Sequence, residues 1–155
     1  MAAKKKIPRT ARRSTAASKR RGSARRPRAP DPILEKIAGV EQREIGSVRL
    51  DLGRAGAARV KRMIYPAGFR WSVDMKPIVG TDLCMHAHVG FLARGEIHVE
   101  YADGCTIEFK APRVVAIEPG HDGWVVGDEP AVLIEFSFES DTVNRLGMPP
   151  AHRHA

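Results

Sequence analysis

Cys84, His86 and His88 fall at alternate positions of GTDLCMHAHVGFLARG, Gly80 to Gly95, a stretch that reads as a strand. Side chains at i, i+2 and i+4 of a strand point to one face. A thiol and two imidazoles would share that face. A further imidazole, His121, lies in EPGHDGWVVGDEP, Glu118 to Pro130. On a neighbouring strand it would join them around a metal ion. Mixed nitrogen and sulfur donors suit Zn²⁺ first, with Fe, Ni or Cu as alternatives. A set without a carboxylate is unlike the facial triad of iron oxygenases. The same residues also admit a plainer reading, in which Cys84 is a small buried hydrophobe and His88 a satisfied core imidazole.

The surrounding residues read as follows. Asp122 points away from His121 along a strand and either caps turn amides or, with a rotated turn, accepts an imidazole N–H. Trp71 and Trp124 read as core or barrel-rim packing, with stacking on a ligand as the alternative. Glu108, Glu118 and Tyr101 are the candidates for a general base. Glu96, His98 and Glu100 form a solvated face, His152 and His154 an inert tail, and Cys105 has no evident partner.

These residues need a scaffold, and the pattern is one of short strands. Glu44 to Leu52, Ala58 to Tyr65, Phe69 to Val73, Leu83 to Arg94 (one long strand, or two with a bend at Gly90), Cys105 to Phe109, Val114 to Ile117, Gly123 to Val126 and Ala131 to Phe138 read as strands. Ile33 to Ile37 is a short strand or a helical turn. Glu96 to Tyr101 alternates cleanly, with Ile97, Val99 and Tyr101 on one face, and Asp103-Gly104 is a hairpin turn. Only Asp141 to Leu146 has a helical pattern, stopped by Gly147. Short strands at even spacing with Gly, Pro and Asp-Gly turns indicate an antiparallel sandwich or barrel. No nucleotide-binding βαβ unit, phosphate loop, helix-turn-helix or repeat is present.

The chain's 155 residues suffice for one domain. Its net charge of +8 is unevenly placed. Residues 1–30 hold 12 of the 26 Lys and Arg and no acid, leaving 14 basic and 18 acidic residues, a net −4, in the rest. The first 30 residues cannot bury enough apolar surface to order, so a disordered tail is expected. Its runs, Lys4-Lys5-Lys6, Lys19-Arg20-Arg21 and Arg25-Arg26, would bind nucleic acid or another polyanion, or remain solvated. No aromatic residue interleaves them to stack on bases. No apolar run is long enough for a membrane span and no secretory h-region is present, so a reducing cytoplasm is the expected setting. The expected division is a tail over 1–30, an all-β barrel over 31–140, and a helical turn with a loose end over 141–155.

From Trp71 to Phe138 the sequence resembles small bacterial RmlC-like cupins that share W-S…K-P…G-T-x-x-C-x-x-x-H-x-G-[YF]…G…D-G…P-G-H-D-x-W-V-x-G-D-E-P. Here the pattern is carried by Trp71, Ser72, Lys76, Pro77, Gly80, Thr81, Cys84, His88, Gly90, Phe91, Gly95, Asp103, Gly104, Pro119 to Asp122, Trp124, Val125 and Gly127 to Pro130. The chain departs from the general cupin signature. The signature Glu falls on His88, its His pair on Thr81 and Leu83, and its second-motif His on Gly123. The closing Asn is missing, and Ala111-Pro112-Arg113 replaces a Gly-Asp turn.

The resemblance implies a cupin double-stranded β-helix, a jelly-roll barrel, that brings His121 to Cys84 and His88, with His86 as fourth ligand or neighbour. It also implies a homodimer. The expected function is binding or sensing of a small polar ligand through a divalent metal. The alternatives are a metalloenzyme (isomerase, decarboxylase or dioxygenase) and a polyanion-binding protein acting through the basic tail.

Overall fold

A computed structural model of the chain describes residues 30–153. The basic runs Lys4 to Arg26 and His154 lie outside the described residues. Nine strands form the body: β1 (Glu41–Ile45), β2 (Val48–Ala55), β3 (Ala58–Tyr65), β4 (His88–Arg94), β5 (Glu96–Tyr101), β6 (Thr106–Lys110), β7 (Arg113–Ile117), β8 (His121–Val125) and β9 (Ala131–Phe138). Three short helices join them: α1 (Trp71–Asp74), α2 (Lys76–Val79) and α3 (Thr142–Leu146). Among the described residues, no helix is long and apolar enough to cross a membrane.

The strands make two antiparallel sheets, β1-β2-β3-β9-β4-β7 and β6-β5-β8. Cys84 adds an isolated bridge to His121 at the free side of β8. Counting that bridge as a vestigial strand, the chain from β3 to β9 visits the sheets in the order large, small, large, small, small, large, small, large. That is the two-Greek-key winding of a jelly roll. The all-β jelly-roll barrel expected from the sequence is therefore the observed architecture. Inward-facing Val48, Leu92, Val99, Phe109, Val115, Ile117 and Leu133 fill the core between the sheets.

Several elements differ from the sequence reading or decide between its alternatives, each for a physical reason. The segment read as one strand from Glu44 to Leu52 is broken by Gly46-Ser47 into the β1–β2 hairpin, with Ile45 opposite Val48. Gly46 takes a left-handed φ of 58°, as a two-residue hairpin turn requires. Phe69 to Val73 is not a strand: Arg70 makes one bridge to Trp124, and α1 then begins, its Asp74 Oδ2 accepting the Arg70 N–H at 2.9 Å. Lys76-Pro77 opens a further helical turn, where proline's missing N–H costs nothing. Ile33 to Ile37 forms turns, held because Arg62 donates to the Ile33 and Glu35 carbonyls at 2.9 and 2.7 Å.

The largest departure concerns Leu83 to Arg94, which is broken at residues 85–87 and runs on through Gly90 as β4. Cys84 pairs with β8 of the small sheet, whereas His88 pairs with Ile117 of β7 in the large one. Residues 85–87 cross between the sheets, so the alternation expected for Cys84, His86 and His88 does not apply across them.

Gly90 fixes where β4 lies against β9. A Cβ added there would sit 2.0 Å from the Ile134 carbonyl oxygen, a backbone atom that cannot step aside. We predict that Gly90→Ala destabilises the barrel by about 1–3 kcal/mol or more, as overpacking does, measured by denaturant unfolding. A midpoint equal to that of the unsubstituted protein would refute it.

Candidate metal centre

The site forms where the two sheets meet. Gly120, in the left-handed region at φ 92°, turns the chain so that His121 enters β8 facing inward, with only 4% of its surface exposed. Backbone hydrogen bonds staple the turn to Cys84. The Gly120 N–H donates to the Cys84 carbonyl at 2.8 Å, and the Cys84 N–H donates to that of His121 at 2.8 Å. His88, the first residue of β4, reaches the same point from the opposite sheet, its Nε2 lying 3.6 Å from Cys84 Sγ. Ligand atoms of Cys84, His88 and His121 lie within 4.8 Å of one another, and all three residues are buried.

The outer nitrogen of each imidazole is engaged. His121 Nδ1 donates to the Glu118 carbonyl at 2.6 Å. His88 Nδ1 donates to Glu135 Oε2 at 2.7 Å. Such contacts orient metal-binding histidines and raise their basicity. They leave Nε2 on each ring for the cavity side.

Glu135 is the residue that sequence reasoning missed. It is fully buried on the inner face of β9, in line with Ala131, Leu133 and Ser137. It sits directly opposite Lys61 of β3, and the two form a buried ion pair. Lys61 Nζ also lies 2.9 Å from His86 Nε2, and His86 Nε2 lies 3.5 Å from Glu135 Oε1. The signal was an acid at an inward position of an otherwise apolar strand run. A buried carboxylate therefore stands behind the His88 imidazole, although the sequence reading had the donor set without one.

The charges couple. Burial opposes ionisation of Glu135, but the His88 charge, its bonds to His86 and His88 and the Lys61 ammonium hold its carboxyl well below the usual range. Burial disfavours the His88 cation, yet the Glu135 and Cys84 partners raise it to about 10. Burial likewise pushes the Cys84 thiol up, and the hydrogen bonds and charges of His121 and His88 bring it down to about 5. At neutral pH Cys84 is thus a thiolate facing an imidazolium, the ionisation a thiolate ligand needs.

The other sequence-selected residues fall around this centre. His86 shares no strand face with His88; its side chain is partly exposed and faces Lys61 and Glu135. With His88 and Glu135 it makes a second close trio, in which Glu135 is already paired with Lys61 and with His88 Nδ1. Asp122 accepts from Arg70 Nε at 2.8 Å, from the Ser72 N–H at 3.0 Å and from Ser72 Oγ at 2.9 Å. It ties α1 to β8. Trp71 is buried and Trp124 half-buried, and both line the cavity. The Arg70 guanidinium covers the Trp124 ring at 4.6 Å.

Of the candidate bases, Glu108 is exposed. The Tyr101 hydroxyl donates to Glu118 Oε2 at 2.8 Å, and burial first, then Glu118, raises its pKa. Two surface expectations are corrected. His98 is largely buried between Glu96 and Trp124, because Trp124 on the adjacent β8 covers the face of β5 read as solvated. His152 stacks on Tyr101 at 3.8 Å, so the C-terminal segment packs on the barrel.

Beside the donors lies a cavity of about 370 Å³. Its wall is mostly apolar, with side chains such as Leu50, Met63, Phe69, Ile97, Val99 and Leu133. A polar ligand, expected from the sequence, fits such a wall poorly.

No protein-family model matches the sequence, and no curated protein matches it. Solved structures do. The chain is similar to an RmlC-like cupin from Shewanella frigidimarina, at 20% identity over 63% of this chain and 82% of that one, TM-score 0.43. It is similar to a Cupin 2 conserved barrel domain protein from Salinispora arenicola, at 15% identity over 74% and 94%, TM-score 0.47. A cupin-like protein from Thermotoga maritima aligns at 18% identity over 61% and 71%, TM-score 0.45. The fold assignment rests on the strand pairing described above.

Proposed function

We propose that the chain is a cupin-type module that binds a divalent metal through Cys84, His88 and His121 and takes a small ligand in the adjoining cavity. The observation that carries this reading is the paired orientation of the imidazoles. Each has its Nδ1 held by an oxygen, and each presents its remaining nitrogen toward a buried thiolate. Two imidazoles and one thiolate fit Zn²⁺, with three protein donors and a fourth position for ligand or water. Zn²⁺ there would polarise a ligand oxygen.

Metal analysis of untagged protein beside a His88→Ala/His121→Ala variant tests this. About one equivalent is expected in the natural protein, with at least a tenfold loss in the variant. A folded, reconstituted protein that holds no metal would sink the proposal.

One observation supports a second reading. Cys84, His88 and Glu135 stand in line, with Sγ 3.6 Å from Nε2 and Nδ1 2.7 Å from the carboxylate. That is the order of nucleophile, base and orienting acid in thiol enzymes. Absence of metal together with fast alkylation of Cys84 near pH 6 favours this reading over the first; slow alkylation removes it.

A further inference from the structure

The donors occupy one part of the cavity wall and hydrocarbon the rest, and this contrast bears on what the site takes. The other polar groups on the wall are few: the Tyr65 hydroxyl, which donates to Met63 Sδ at 3.6 Å, the Trp71 and Trp124 indoles, Thr81, His86 and Lys61. The Thr81 hydroxyl donates to the Leu83 carbonyl at 2.8 Å, and Lys61 is paired with Glu135. A sugar or a dicarboxylate would lose its water to this wall and regain few hydrogen bonds, which is costly. An alkyl or aryl body loses nothing by entering and gains roughly a factor of four in affinity for each methylene buried.

Charge selects the head group. A divalent ion with one thiolate and two neutral imidazoles carries one net positive charge. Lys61 and Glu135 cancel each other beside it. An oxygen monoanion in the fourth position balances the site. Size sets the body: about 370 Å³ lies near the lower end of the about 300–1,000 Å³ typical of small-ligand pockets.

We propose that the barrel binds a small amphiphilic monoanion, a monocarboxylate with an unbranched or aryl apolar body, its carboxylate on the metal and its body among Met63, Ile97, Val99 and Leu133. This rests on the metal reading above, and the test separates the two.

The experiment is calorimetric titration of the Zn-loaded protein with butanoate, hexanoate and octanoate, with succinate as the polar comparison and 1-octanol as the headless one. Affinity is expected to rise roughly fourfold per methylene, so octanoate binds roughly 250-fold more tightly than butanoate, and succinate more weakly than hexanoate. Ile97→Phe, which narrows the chamber away from the donors, should flatten the series while zinc content stays unchanged. In His88→Ala/His121→Ala the octanoate affinity should fall at least tenfold and that of 1-octanol should not. A flat series in zinc-loaded protein, or succinate binding as well as octanoate, overturns the proposal and leaves the metal reading standing. Failure to load zinc overturns the metal reading, and with it the carboxylate–metal contact. A steep 1-octanol affinity in that protein would then support the apolar chamber alone.

Discussion

Glu135→Ala is expected to lower the melting temperature by on the order of 10–20 °C, the largest single-residue effect on this fold. The side chain is fully buried and faces Lys61, His86 and His88. Its removal strands the Lys61 ammonium, itself only 8% exposed, and takes the acceptor from His88 Nδ1. Breaking a buried ion pair by removing one partner costs roughly 3–5 kcal/mol, because the other charge is left uncompensated. For a domain of this length each kcal/mol moves the melting temperature by about 4 °C.

Replacing both partners, as Lys61→Met with Glu135→Leu, should cost clearly less than the sum of the two single changes, since no lone charge remains. Glu135→Gln keeps the shape and an oxygen for His88 Nδ1. It still leaves the Lys61 charge without its partner, so it should destabilise the fold, though by less than alanine, and at about pH 10 and above, where His88 is neutral in both proteins, it should bind metal roughly 10–100-fold more weakly, as loss of an orienting carboxylate does. Thermal unfolding followed by circular dichroism reads the first effect and chelator competition the second. An alanine variant melting within 2 or 3 °C of the natural protein would falsify the central place given to Glu135.

How far the sequence reveals this site depends on whether local rules hold there. Alternation within one strand is such a rule, and it places Ile97, Val99 and Tyr101 inside; the Asp103-Gly104 signal marks the turn between β5 and β6, although the loop takes in Ala102 as well and is not a two-residue hairpin. Gly147, as expected, takes the left-handed conformation that ends α3. The rule fails between Cys84 and His88 because the chain changes sheets there, which shifts the parity of the side chains. The two residues meet all the same, one fastened to β8 and the other to β7. Gly46-Ser47 is a turn signal, but apolar residues continue on both sides of it, so periodicity alone carries one strand across the hairpin. Glu135 lies beyond any local rule. Its partners Lys61, His86 and His88 are distant in the chain, and only the β3–β9 register brings Lys61 opposite it. An acid at an inward-facing position calls for a partner of opposite charge, but that requirement does not say which residue supplies it.

The pairing of Cys84 with His88 also sets how metal affinity depends on pH. Metal binding needs a thiolate and a neutral imidazole. In the metal-free protein Cys84 is already ionised above about pH 5, whereas His88 keeps its proton up to about pH 10. The proton that metal displaces at neutral pH therefore comes from His88 and not from the thiol. The sign follows: affinity rises with pH for as long as His88 remains protonated, tenfold per pH unit for one displaced proton. From pH 7 the rise should continue to about pH 10 and then level off. A site of independent groups would level off from about pH 8.5, the pKa of an ordinary thiol, its histidines having titrated near 6.5. Chelator competition across pH 7 to 10, corrected for the chelator's own protons, separates the two cases, and a plateau beginning near pH 8.5 rules out the thiolate–imidazolium pair. Glu135→Gln should move the break to lower pH, because burial opposes the His88 cation and the Glu135 charge is the largest influence that sustains it. In metal-free protein the ultraviolet absorbance of the Cys84 thiolate should persist as the pH is lowered from 8 and disappear only near pH 5.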